Sequence, residues 1–272
     1  MLICQISDLH IRARRQKSYR VVDTTASLER CIASIRALPQ APDIVVVTGD
    51  LVDVGRADEY AALGELLAGL AQPTYLLPGN HDERGALCRA FPLHAYLPRD
   101  GGRLNYVVES YPLRLVALDT VIPGEAGGTV DAATASWLEA VLCQAPGQPT
   151  LIMMHHPPFA SGIVHMDEIG LSGTERLHAV VAAHPQIERI ICGHLHRSIS
   201  TRFAGTIAST CPSPAHQVML DLSGDASARF VLEPPGFQLH LWRPGLGLVT
   251  HTVPVGEFPG PYPFFEEEDL ID

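Results

Sequence analysis

Apolar residues arrive along this chain in short dense runs, separated by segments in which they recur every third or fourth position. The runs Leu2–Ile6, Ile44–Thr48, Thr74–Leu77, Leu113–Leu118, Thr150–Met154 and Glu188–Cys192 are β-branched or leucine-rich and end in turn residues, which predicts buried strands. Between them Thr24–Leu38, Ala57–Leu70, Arg84–Phe91, Ala132–Leu142 and Gly173–His184 read as helices. In the first, Leu28, Ile32, Ile35 and Leu38 fall at helical spacing, and Pro39 stops the run. The alternation predicts a layered α/β fold.

Past His196 the pattern changes. Ser198–Phe203, Thr206–Ser209, Gln217–Leu222, Arg229–Leu232, Gln238–Trp242 and Leu248–Val253 read as strands joined by Gly, Pro and Ser turns. They are expected to extend the second half of a sheet sandwich and to form a hairpin appendage. The expected organisation is a catalytic core over 1–215, strands completing the sandwich plus the hairpin over 216–253, and a Pro-, aromatic- and acid-rich tail over 254–272. Hairpin and tail together predict a homodimer or larger assembly.

The polar residues that follow the core strands carry the chemistry. SDLH supplies Asp8 and His10, GDLVD supplies Asp50, PGNHDE supplies Asn80, His81 and Asp82, HHPP supplies His155 and His156, and GHLH supplies His194 and His196. In α/β sheets ligands collect at the carboxyl ends of strands, so five such loops are expected to converge on one crevice. Carboxylate, amide and imidazole donors together predict a metal site. In D-x-H and H-x-H the alternating residues share a side, while Leu9 and Leu195 turn back to the core.

Composition narrows the partners. The 272 residues are 46% hydrophobic, enough for a substantial core, and 30 acidic against 19 basic residues leave a net charge of −11. That balance repels polymeric nucleic acid and anionic membranes. The basic cluster Arg12, Arg14, Arg15, Lys17 and Arg20 reads as a solvated loop. Six scattered cysteines without a C-x-x-C pair fit a reducing compartment, and the amino terminus reads as neither signal peptide nor anchor, so the expected location is cytoplasmic.

The blocks D-x-H (Asp8, His10), G-D (Gly49, Asp50), G-N-H-D (Gly79 to Asp82), H-H-P-P (His155 to Pro158) and G-H-x-H (Gly193 to His196) resemble those of the calcineurin-like metallophosphoesterases. Within that superfamily the chain is similar to bacterial class III cyclic-nucleotide phosphodiesterases and glycerophosphodiesterases, including AHQV with His216. The resemblance implies a four-layer αββα sandwich. It also implies that Asp8, His10 and His196 hold one divalent ion, that Asn80, His155 and His194 hold a second, and that Asp50 bridges them. Hydrolysis of small phosphodiesters, cyclic nucleotides or glycerophosphodiesters, by a metal-bridging hydroxide follows as the expected reaction.

Diesters resist attack because they are anionic and their leaving groups are poor. Two ions about 3.5–4 Å apart lower the pKa of a shared water and draw phosphoryl charge onto themselves. Nitrogen and oxygen donors without cysteine favour Mn, Fe, Co or Zn over Mg or Ca. Asn80 is a neutral ligand, so the ion on its side is expected to bind more weakly. His81 directly follows Asn80 and is expected to face the substrate as proton donor or charge stabiliser. The resemblance implies that His216 joins it on the substrate side. Asp82 either orients His81 or caps the next helix, and His156 is expected behind the ligands. His94, His165, His178, His184, His240 and His251 carry no spacing argument. The alternatives are a nucleotide-lipid pyrophosphatase or nuclease of the same superfamily, or a binding scaffold without catalysis.

Overall fold

The computed structural model describes residues 1–266 and 269–270. Eleven strands build two main sheets: β1 (Leu2–Ile6), β2 (Ile44–Thr48), β3 (Thr74–Leu77), β4 (Tyr106–Val108), β5 (Arg114–Leu118), β6 (Thr150–Met154), β7 (Ile187–Cys192), β8 (Ile199–Phe203), β9 (Thr206–Thr210), β10 (Gly236–Arg243) and β11 (Gly247–Pro254). The first sheet runs β11-β10-β1-β2-β3 and the second β8-β9-β7-β6-β5-β4. In each, the central strands are parallel; antiparallel strands close both edges of the second sheet, while the first ends in the antiparallel hairpin β10–β11 on one side and in the parallel strand β3 on the other. The longer helices are α1 (Thr24–Arg36), α2 (Ala57–Leu67), α3 (Arg84–Ala90), α4 (Ala132–Cys143) and α5 (Thr174–Ala183).

The period-2 alternation of strand side chains sorts the second sheet into two faces. Leu115, Ala117, Leu151, Met153 and Ile191 pack into one core with Ile3, Val45 and Val47 of the first sheet and with Leu28, Ile32 and Ile35 of α1. Their neighbours Val116, Leu118, Ile152, Met154 and Ile190 pack on Leu138 and Leu142 of α4 and Leu177 of α5. The result is the expected αββα sandwich. Near the carboxyl ends of β1, β2 and β7, Gln5 Nε2 donates to Thr48 Oγ1 and to the Cys192 carbonyl, each at 2.9 Å, and so ties the two sheets together.

The C-terminal hairpin β10–β11 continues the first sheet, with β10 antiparallel to β1. His240 on β10 is fully buried and its Nε2 lies 2.9 Å from Gln5 Oε1, so a histidine with no sequence pattern joins the inter-sheet network. The expected strands Gln217–Leu222 and Arg229–Leu232 shorten to Gln217–Val218 and Phe230–Val231, paired only with each other. Leu220, Leu222 and Leu232 stand exposed, with no sheet edge to extend. Of the expected tail, 267–268 and 271–272 lie outside the described residues.

Candidate metal centre

The strands end just before the polar residues, and the backbone then turns sharply. Asp8, His10, Asp50, His194 and His196 have φ of 57°, 45°, 48°, 70° and 52°, all in the left-handed region. Each such residue costs about 1–3 kcal/mol, a strain typical of functional sites. The expected extended backbone is therefore not what brings D-x-H and H-x-H onto one point. β1 stops at Ile6 and β7 at Cys192, and paired left-handed residues aim the side chains while Leu9 and Leu195 are buried. The amides of Asp8 and His10 donate to the carbonyls of Gly49 and Asp50 at 3.1 and 3.0 Å, stitching the first two loops together.

Glycine permits this proximity at Gly79 and Gly193. A Cβ on Gly79 would overlap the Asp50 amide and carboxylate, and one on Gly193 would overlap Ser7 Oγ and the Thr48 carbonyl.

Two groups of donor atoms face each other across Asp50. In the first, His10 Nε2 lies 3.2 Å from His196 Nε2 and 3.6 Å from Asp50 Oδ2, and His196 Nε2 lies 3.7 Å from Asp8 Oδ1. In the second, Asn80 Oδ1 lies 3.1 Å from both His155 Nε2 and His194 Nδ1, and His155 Nε2 is 3.4 Å from Asp50 Oδ1. One oxygen of Asp50 thus serves each group. Its Oδ1 also accepts from the His81 amide at 2.9 Å.

Backbone carbonyls select the free nitrogen of three rings. His155 Nδ1 donates to the Thr48 carbonyl at 2.8 Å, His196 Nδ1 to that of His216 at 3.0 Å, and His194 Nε2 to that of Ile169 at 3.1 Å. The other nitrogen of each ring faces the cluster, placed to give its lone pair to a cation once any proton there is displaced, the arrangement found behind metal-bound histidines. Asp8 Oδ2 is buried with no hydrogen-bond partner among the described residues. Converging lone pairs and an orphaned carboxylate oxygen fit a cation, and the set fits two of them.

The electrostatics point the same way. Burial, then the His155 charge, pushes His194 down to about 3, and burial followed by His216 and His10 holds His196 well below the ordinary value. Both rings therefore keep their lone pairs at neutral pH. Burial works against charge on His155, yet Asp50 and Asp8 raise it to about 9. That corner attracts positive charge.

The remaining candidates separate by contact. His81 stands T-shaped against His10 with centroids 4.6 Å apart, and its Nδ1 donates to the Asp53 carbonyl at 2.6 Å. His216 is buried beside His196, at 4.6 Å between centroids, and its Nδ1 has no partner. Both nitrogens of His156 are engaged, by Thr120 Oγ1 at 2.8 Å and the Ala126 carbonyl at 3.2 Å, which leaves it behind the cluster as expected. Asp82 does neither job expected of it. It accepts from the Gly79 and Leu51 amides and from the Tyr60 hydroxyl, clasping two loops, while Glu83 caps α3 through the Gly85 and Ala86 amides.

Sequence reasoning passed over Asp53 and Tyr19. Asp53 Oδ1 lies 3.4 Å from His10 Nδ1 and its Oδ2 accepts from Arg12 at 2.9 Å; a second carboxylate in GDLVD was the available signal. Tyr19 reaches the His216 ring from the basic loop, centroids 5.3 Å apart, and no local pattern marks it.

This fold and site define a class: residues 1–198 match the calcineurin-like phosphoesterase family, and the chain belongs to it. It is a dinuclear-type, metal-dependent phosphodiester hydrolase, and the non-catalytic alternative falls away. The chain is similar to a probable glycerophosphodiester phosphodiesterase GpdQ of Arcobacter nitrofigilis, at 40% identity over 274 residues and 100% of both chains. A probable cyclic nucleotide phosphodiesterase of Rhodopseudomonas palustris is 35% identical over 239 residues, 85% of each chain. A dimetal phosphatase from Danio rerio shares the fold with a TM-score of 0.62 at 16% identity, over 94% of this chain and 99% of that one.

Proposed function

We propose that the enzyme hydrolyses small phosphodiesters, glycerophosphodiesters foremost. In this reading Asp8, His10 and His196 hold one divalent ion, Asn80, His155 and His194 hold the other, and Asp50 bridges. The observation that carries it is Asp50, whose Oδ2 faces His10 at 3.6 Å while its Oδ1 faces His155 at 3.4 Å. Full-length similarity to a probable glycerophosphodiester phosphodiesterase supports the substrate class.

The donor set suits Mn, Fe, Co or Zn. Bound ions would supply an activated water and neutralise phosphoryl charge. The protein's own part is to hold the donors and manage the proton. The carbonyls of Thr48, Ile169 and His216 lock the imidazoles, so no rearrangement accompanies the reaction. His81, held through Nδ1, keeps Nε2 as the ring nitrogen that handles the leaving-group proton. His216 contacts substrate beside it.

Cyclic nucleotides are the second reading. Its support is the edge-on and tilted cluster of Tyr19, His216 and Phe230, with centroids 5.1–5.3 Å apart, an aromatic surface next to the site that suits a base. A nuclease is disfavoured because Arg12 and Arg15 of the basic loop are paired with Asp53 and Glu29. The reading includes a homo-oligomer, supported by the exposed Phe258, Tyr262, Phe264 and Phe265, and a cytoplasmic location, supported by six free cysteines.

The test is Asp50→Ala, assayed on a glycerophosphodiester, a cyclic nucleotide and a synthetic aryl diester with metal content measured alongside. The variant is expected to lose every activity and to bind fewer ions while keeping its circular dichroism. Retained turnover with two bound ions would overturn the bridge. The ratio of wild-type rates on the first two substrates decides between the readings.

A further inference from the structure

At the other end of the second sheet the fold gathers three side chains that the catalytic site does not use. Cys143 is the last residue of α4, Glu139 lies one turn earlier on the same face, and His184 caps α5. His184 Nε2 stands 3.1 Å from Glu139 Oε2, and Cys143 Sγ stands 3.6 Å from Glu139 Oε1. One donor atom from each residue falls within 4.8 Å of the other two. Tetrahedral zinc, with bonds of about 2.0–2.3 Å, sets its donors roughly 3.2–3.8 Å apart, so closure on an ion needs only small side-chain adjustments.

An independent observation points into the same spot. His184 is only 7% exposed, and among the described residues its Nε2 makes no hydrogen bond despite the carboxylate beside it. Two helices also end here, and their negative C-terminal poles favour a cation. His184 precedes β7 whereas His194 follows it. A six-residue strand spans roughly 20 Å, so this cluster is remote from the candidate metal centre.

We propose that Cys143 Sγ, a Glu139 oxygen and His184 Nε2 form a separate site for a thiophilic divalent ion of the zinc class, with water in the fourth position. The ion joins the end of α4 to the turn between α5 and β7. Thiolate and imidazole donors exclude Mg and Ca as its natural occupants. On binding, the Cys143 thiol proton passes to solvent and the sulfur–metal bond forms without any redox change. Gln186 Nε2 lies 3.2 Å from His184 Nδ1 and donates to it; on binding, the ring proton moves to Nδ1 and the Gln186 amide turns over so that its oxygen accepts it.

Cobalt(II) titration of the chelator-treated full-length protein tests this, because the catalytic donor set contains no sulfur. A thiolate-to-cobalt charge-transfer band in the near ultraviolet is expected, saturating at one ion per chain. It should vanish in Cys143→Ser, persist in Cys88→Ser, and require at least about tenfold more cobalt in His184→Gln. Diester hydrolysis by Cys143→Ser should match wild type. A wild-type spectrum with cobalt bound but no such band overturns the site, as does a band that survives Cys143→Ser or ignores His184→Gln.

Discussion

Nε2 of His10 stands 3.2 Å from Nε2 of His196, both rings buried, with Asp50 and Asp8 carboxylates within 4 Å of the pair. His196 Nδ1 is already committed to a carbonyl, and His10 Nδ1 faces Asp53. Two lone pairs therefore meet where only a proton or a cation relieves their repulsion. On the other side of Asp50 the second donor group gathers around the Asn80 oxygen, 3.1 Å from one nitrogen each of His155 and His194.

Asp53 acts on this centre from behind His10, 3.4 Å from its Nδ1. Asp53→Ala is expected to weaken manganese binding by about 10–100-fold while leaving the rate at saturating metal near wild type. Calorimetric titration reads the affinity. An unchanged binding curve would leave Asp53 as a partner of Arg12 alone.

Asn80 brings no charge to its ion, whereas the other group contains Asp8. Metal binding should resolve into two steps of unequal affinity, with Asn80→Asp tightening the weaker one by roughly tenfold or more through added Coulomb attraction. Two equal steps in the wild-type titration would defeat this expectation.

His81 is placed to manage the leaving-group proton, so the cost of removing it depends on the leaving group. His81→Ala is expected to slow a glycerophosphodiester by about 10²–10⁴-fold and an aryl diester, whose phenolate departs unaided, much less. Steady-state rates on both substrates give the answer; equal losses contradict proton donation.

Asp131 caps α4 and offers a pH test away from the metals. The Thr134 amide, 2.8 Å away, and then Arg103 hold its carboxyl down at about 2. A depressed carboxylate stabilises the fold above its unfolded pKa near 4, and that contribution is lost as pH falls from about 4 toward 2. Asp131→Ala should therefore cost about 0.5–2 kcal/mol at neutral pH, with the gap to wild type narrowing in acid. Urea unfolding at several pH values measures it, and a gap that widens in acid would refute the assignment.

Much of this was legible in the chain because it is short-range. Strand ends follow from where apolar runs stop, and metal-competent residues follow those ends within about four positions, so the convergence of five loops could be expected from the α/β alternation and from where such sheets gather ligands. Local geometry was not legible. The left-handed turns at Asp8, His10, His194 and His196 replace an expected extended path, because the β1 and β7 hydrogen bonds stop before them. Asp82 sat in a motif that admitted two roles, and its actual partners include Tyr60 on α2, which no spacing rule connects to it.

By itself, then, the sequence determined the layered α/β architecture and which polar residues follow the core strands, since both depend on periodicity and on neighbours in the chain. Only the tertiary structure decided which ring nitrogen each histidine presents, that Asp50 divides its oxygens between two groups, and that Cys143, Glu139 and His184 meet. Those outcomes depend on carbonyls and side chains from distant segments, brought within a few ångströms by the packing of the sheets and of α4 against α5.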